Sequence, residues 1–233
     1  MAVEASSPPA SRSRDLRHAG LVLAVAAVFG ALGAAIAYHG GDAPDAYLIA
    51  ESFWSRFAYF LVAVACGRSA SRFRQAMAAA LVLAFGGYAA GVAVNLVRGL
   101  AFPFGMTGYD AGEIVYFVLK VVVLPLAGVV LAFLTRREDL RGDLALALLL
   151  QGQSIPAVLS LQLWLQGLFT RESGECCVTV EWGYPWQDWA GLALALVLVV
   201  LLRPTPPARL RSLAVTVALT ALLAGLGRLQ GLM

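Results

Sequence analysis

Seven apolar runs, each bounded by polar or charged residues, divide this chain: residues 19–38, 47–67, 76–97, 113–134, 144–169, 186–202 and 210–227. At about 1.5 Å of rise per residue, some 20 apolar residues in a helix cross the roughly 30 Å hydrocarbon core of a bilayer. The pattern predicts an all-α polytopic integral membrane bundle of about seven transmembrane helices. The sixth and seventh runs reach spanning length only when flanking residues are counted. Residues 1–18, rich in Ser, Pro and Arg with little to bury, read as a disordered basic cytoplasmic tail. Residues 19–233 read as one transmembrane helical domain. A rival for the first run is a signal peptide, with Arg12, Arg14 and Arg17 leading and Ala35–Ala37 as the cleavage site. Its apolar part is longer than the usual stretch of about 7–15 residues, so a retained helix is the reading adopted. Cleavage would leave six spans.

Composition agrees with the pattern. Apolar residues make up 60% of the 233 and charged residues 13%, with a mean hydropathy of +0.78. A soluble domain carries about 25% charge. The net charge of +3 is too small to argue for nucleic acid, and the lipid bilayer is the partner that composition implies. The abundance of Ala, Leu and Arg suggests a GC-rich bacterial genome, and so a cell membrane of the bacterial inner (cytoplasmic) kind.

Where the arginines fall orients the bundle. With the N-terminus inside, the inner segments are 1–18, 68–75, 135–143 and 203–211, and each carries three arginines. These are 12 of the 17 basic residues. The outer loops hold Arg98 and Arg171 beside Asp42, Asp45, Asp110, Glu172, Glu175, Glu181 and Asp188. Basic residues are enriched in short cytoplasmic loops, so the chain reads as N-terminus inside and C-terminus outside.

Small residues recur in the first and third runs: Gly30, Gly33 and Ala34 in one, Gly86, Gly87 and Gly91 in the other. In lipid they let helix backbones approach closely, which predicts tight packing within the bundle. The fifth run is the most polar, with Gln151, Gln153, Ser154, Ser160, Gln162 and Gln166 around Pro156. Interhelical polar contacts and a hydrated lining are both open readings of it. The loop of residues 99–112 reads as a surface loop, with a re-entrant segment as the alternative.

Candidate chemistry gathers on the outer side. Lys120, the only lysine of the chain, lies part-way down the fourth run, one turn before Pro125. A charge in hydrocarbon costs several kcal/mol or more unless it is paired, hydrated or turned inward. Glu113 lies seven residues earlier, on the same helix face. With Glu51, Arg56, Asn95, Arg98, Gln162 and Gln166 it completes an expected intramembrane polar network. Three cations against two carboxylates neutralise one another or leave a surplus for a small anionic or zwitterionic ligand. Snorkelling of Arg56 and Lys120 toward the interface is the structural alternative.

No catalytic signature accompanies this group. HExxH, GxSxG and a Walker lysine loop are missing from the sequence. His18 and His39 stand alone, and the adjacent loop pair Cys176–Cys177 has no metal-ligand spacing. That pair is free, bridged to another chain, or joined as a vicinal disulfide. No cofactor or metal is expected. The first functional expectation is a small transporter or ligand-binding membrane protein with an outward-facing polar cavity. The second is a non-catalytic accessory subunit associating with other membrane subunits, and the third an enzyme acting on lipid.

Overall fold

The computed structural model describes residues 9–37, 50, 53–99, 118–170 and 185–229. Among these are seven helices and no strand. Helix α1 is Pro9–Ala37, and α2 is a π turn, Trp54–Ala58, continued by Tyr59–Ser69. Helix α3 runs over Phe73–Leu81, a π turn at Val82–Gly86, and Gly87–Val97. Helix α4 is a π turn, Leu119–Val123, followed by Leu124–Leu134. Helices α5, α6 and α7 are Leu140–Thr170, Pro185–Leu202 and Pro206–Leu229.

Each helix falls on one of the seven apolar runs. Four contain stretches long and apolar enough to cross a membrane: Arg17–Ile36, Phe73–Val97, Leu140–Gln162 and Pro206–Leu226. Leu124–Leu134 and Trp186–Leu202 are shorter apolar helices. Large apolar side chains such as Leu21, Leu124, Leu201 and Val217 stand more than half exposed, an arrangement suited to lipid. The chain is therefore an all-helical protein whose helices match a membrane protein. Helix α1 begins at Pro9, within the stretch read as a tail, so Arg12, Arg14 and Arg17 lie on it. Proline suits a first helical turn because its missing N–H has no partner there anyway. The loop of residues 171–184, with Cys176 and Cys177, and residues 100–112 lie outside the described residues.

The chain forms two compact units, Met1–Phe133 and Leu134–Met233. The core of the first is built of small side chains: Val22 and Ala26 of α1, Ala63 and Cys66 of α2, Ala76, Ala79, Ala80 and Leu83 of α3, and Val129 of α4. Alanines and glycines bring backbones together, and close packing replaces the hydrophobic effect as the source of cohesion in lipid. Gly30 of α1 lies directly against the backbone of Gly87 in α3. At Gly67 of α2, an added Cβ would stand 2.7 Å from the Ala132 Cβ and 2.9 Å from the Phe133 nitrogen of α4. Helix α3 stops at Gly99, whose φ of +69° is a left-handed conformation that glycine adopts without a Cβ penalty.

In the second unit α5 is central. Helices α6 and α7 pack on it and only lightly on each other, although residues 203–205 alone separate them. Asp139 caps α5, its Oδ1 accepting the Gly142 N–H at 3.0 Å. That bond, and then the Arg137 guanidinium, hold the Asp139 carboxyl below the usual carboxylate range.

Candidate functional site

An α-helix widens into a π turn where something prevents the regular ladder, and such turns are frequent at functional positions. Among its described residues the first unit has three. In α4 the cause is visible in the sequence. Proline has no N–H, and its ring collides with the carbonyl four residues before it. Pro125 follows the π turn Leu119–Val123 after one residue, Leu124, and the carbonyl its ring would meet, that of Val121, lies inside the widened turn. In α3 the π turn ends at the pair Gly86–Gly87, where Gly87 receives the close approach of Gly30.

The three turns lie at one level. The Tyr59 hydroxyl, directly after the π turn of α2, donates to the Leu83 carbonyl inside the π turn of α3 at 3.2 Å. The π turn of α3 in turn packs against that of α4. Counted from Ser69, Phe73 and Leu134, the three turns begin and end about 14 to 23 Å along their helices, at 1.5 Å per residue. That is near the middle of a hydrocarbon layer about 30 Å thick.

Both charged residues of these turns belong to the expected network. Arg56 is half-buried in the π turn of α2, its guanidinium carbon 5.7 Å from the centre of the Phe57 ring. Lys120 occupies the π turn of α4; its side chain lies outside the described residues. Trp54, which opens the π turn of α2, stacks on Phe29 of α1 with centroids 4.6 Å apart. So the structure puts the backbones carrying the two cations at a shared level.

The other expected members are distributed differently. Tyr59 meets Leu83 on the antiparallel neighbour, which sets Arg56 near the level of Gly86. Asn95, half-buried, therefore stands roughly 13 Å farther toward the C-terminal end of α3 by the helical rise. Arg98 is farther still and exposed. Gln162 is half-buried on α5, in the second unit. Glu51 and Glu113 lie outside the described residues, as does the side chain of Gln166.

The second unit holds a polar centre that sequence reasoning missed. Asp143 and Arg203 are 0% and 1% exposed, with Arg203 Nε 2.9 Å from Asp143 Oδ1. The Ser212 hydroxyl donates to the same oxygen at 2.5 Å. Arg203 Nη1 donates to the carbonyls of Thr135 and Arg137, both at 2.9 Å. Arg211 pairs with the other carboxylate oxygen, Asp143 Oδ2. Arg203 had counted only as one of three loop arginines and Asp143 not at all. The available signal was their position: each sits at the polar edge of an apolar run.

Above this centre, the fifth run's polar residues connect helices. Gln151 is buried; its amide donates to the Ala147 carbonyl at 2.9 Å, and its oxygen lies 3.0 Å from the Thr220 hydroxyl of α7, whose one proton it shares with the Thr216 carbonyl. Ser160 pairs with the buried Asp188 of α6. For Gln151 and Ser160 the structure supports interhelical polar contact over a hydrated lining. Among the described residues no three metal-ligating side chains converge.

No protein-family model, no curated protein and no solved structure matches this chain. Its chemistry must be argued from the site. A level of three interrupted helices with two cationic positions suits electrostatic holding of an anionic group.

Proposed function

We propose that this chain is a small transporter of a bacterial inner membrane, with seven spans, the N-terminus inside and the C-terminus outside. It binds a small anionic or zwitterionic ligand that enters from the outer side. The orientation draws its support from the three arginines in each of four inner segments. The observation that carries the ligand reading is the shared level of the three π turns, two of which bear Arg56 and Lys120.

The physical case has two parts. A cation near mid-membrane is costly to retain, so two of them on one level point to use. Transporters, moreover, build their substrate sites near the bilayer midplane from helices whose regular ladder is interrupted.

The test is a thermal-shift screen of the purified protein in nanodiscs against inorganic phosphate, succinate, glutamate and glycine betaine. A ligand bound at 100 times its Kd stabilises by about 2.7 kcal/mol. Stabilisation by at least one probe, lost in both Arg56→Met and Lys120→Met, is expected, followed by uptake of that probe into proteoliposomes. Stabilisation that survives both substitutions, or none from any probe, would remove the basis of this reading.

A further inference from the structure

We infer that the second unit holds one acyl chain of an anionic phospholipid in the groove between α6 and α7, with the headgroup at the arginine-rich end. Because α6 and α7 each pack on α5 but only lightly on each other, a cavity of about 250 Å³ opens between them. Its floor is Leu150, Ser154, Ala157 and Leu161 of α5; Leu196 and Val217 form opposite walls. Leu150 to Leu161 spans about 16 Å at 1.5 Å per residue. That is the depth of one leaflet, half of roughly 30 Å. The volume falls just below the range of about 300–1,000 Å³ for small-molecule pockets, which favours a single chain over a bulkier ligand.

The lining excludes polar occupants. Thr216 and Thr220 are the polar residues on α7, and each hydroxyl donates to a backbone carbonyl one turn back, at 2.8 Å. The surface left to the groove is almost wholly carbon. Leu196 and Val217 are 47% and 66% exposed on its walls.

Charge decides which lipid. Helical spacing continues each groove stripe into the polar centre: Leu150 to Asp143 on α5, Val199 to Arg203 on α6, and Leu213 to Arg209 on α7. Arg203 and Arg211 share the carboxylate of Asp143 there, an excess of one positive charge, and Arg209 adds a second beside it, its guanidinium donating to the carbonyls of Arg203 and Pro204. Arg203 Nη2, fully buried, has no hydrogen-bond partner among the described residues. Arg211 is 46% exposed and Arg209 half-buried, and the proposed phosphate lies against the N–H groups that their bonds to Asp143, Glu138, Arg203 and Pro204 leave over. Basic pockets between helices on the cytoplasmic side bind anionic headgroups in this way. Placing the lipid in the inner leaflet rests on the orientation proposed above, whereas its binding to the groove does not.

The experiment uses the full chain in phosphatidylcholine nanodiscs, where both faces are accessible. Two photoreactive lipids carry the same diazirine-bearing acyl chain, one with a phosphatidylglycerol and one with a phosphatidylcholine headgroup. Adducts are mapped by mass spectrometry. Phosphatidylglycerol is expected to label Val158, Leu196 and Val217 at least tenfold more than phosphatidylcholine. Arg209→Gln and Arg211→Gln should each cut that preference about fivefold, the effect of one surface charge near an anionic lipid. Val217→Trp, which fills an exposed wall without touching the polar centre, should abolish labelling by both lipids while the helical content stays intact. Equal labelling by the two headgroups overturns the inference, as does labelling spread evenly round the second unit. A dimer in native mass spectrometry with no lipid adduct would assign the groove to a second copy instead.

Discussion

Replacing Asp143 by Asn removes the carboxylate that Arg203 and Arg211 share and leaves Arg203 charged at 1% exposure. Removing one partner of a buried ion pair typically costs about 3–5 kcal/mol, because the remaining charge is desolvated without compensation. Asn retains an oxygen for the Ser212 hydroxyl, and Arg203 Nη1 retains its two carbonyls. The loss should therefore fall toward the lower end, about 3 kcal/mol. Arg203→Met should cost less, because Asp143, at 0% exposure, keeps Arg211 and the Ser212 hydroxyl as partners. The pair Arg211–Asp143 supplies a control, because Arg211 is 46% exposed. Solvent screening limits such a partner to about 0–1 kcal/mol, so Arg211→Met should be mild.

The double variant Asp143→Asn with Arg203→Met decides the matter. No buried charge remains in it, so it should lose at least about 2 kcal/mol less than the two single losses added together. Recovery will be incomplete, since the carbonyls of Thr135 and Arg137 lose their donor. An unmet buried acceptor costs about 1–3 kcal/mol. The assay is reversible unfolding in mixed micelles of increasing SDS content, followed by far-ultraviolet circular dichroism. If the two units unfold in separate steps, the step that Asp143→Asn moves is the one to analyse. Losses under about 1 kcal/mol for both single variants would refute the reasoning, and so would strict additivity in the double.

The same assay tests the close approaches in the first unit. Gly67→Ala and Gly30→Ala force a Cβ into backbone atoms of α4 and α3 and should each cost about 1–3 kcal/mol as overpacking. Gly152→Ala, with no atom within 4 Å of its Cβ, should be neutral; equal losses at all three would mean that helix contact is not the cause. For the orientation, single cysteines at the exposed Ser71 and Glu138, with the native cysteines replaced, should resist an impermeant maleimide in intact cells, while Ser173→Cys reacts. The reverse labelling pattern sinks the proposed topology. Because the Asp139 carboxyl is held below its ordinary range, its cap is present at neutral pH and lost as pH falls through that lowered value. The protection factor of the Gly142 amide, its exchange rate set against that of an unstructured peptide at the same pH, should fall in that acid window and in Asp139→Asn at neutral pH; unchanged protection in both would dismiss the cap.

How much of this was legible beforehand differs between the units. The helices were legible because hydrophobic run length is a local property, and each of the seven runs carries one. The contact of Gly30 with Gly87 and Gly91 was foreshadowed, since small residues in lipid are informative about packing. The π turns were not. One extra residue in a turn barely alters an apolar run that is hydrophobic all round, and only Pro125 hinted at a disturbed ladder. The Asp143–Arg203 pair escaped for a different reason. Arginines between spans were weighed as topology signals, and nothing local distinguishes a solvated loop arginine from one covered by three converging helices. Gln151 shows the same limit. Its partner Thr220 is 69 residues away, so whether it bonds a helix or lines water depends on a fold that neighbouring residues do not encode.

The two units are held together in different ways. In the second, Asp143, Arg203 and Ser212 bond one another at the helix ends, and the Ser212–Thr216–Thr220–Gln151 ladder extends that bonding upward. Moving α7 along α5 would break several of these bonds at once and expose a buried ion pair, so this unit is the stiffer scaffold. In the first, α1 and α3 meet at glycines, and α2, α3 and α4 are each interrupted at one level. Contacts between small side chains and backbone change little when helices slide by a fraction of a turn. A π turn can absorb such a shift by passing its extra residue along the helix. Ligand-dependent motion should therefore concentrate in α2–α4, with hydrogen exchange at Trp54–Ala58, Val82–Gly86 and Leu119–Val123 responding to a bound probe while α5 and α7 stay protected. Uniform protection changes across both units would show instead that the bundle responds as one body.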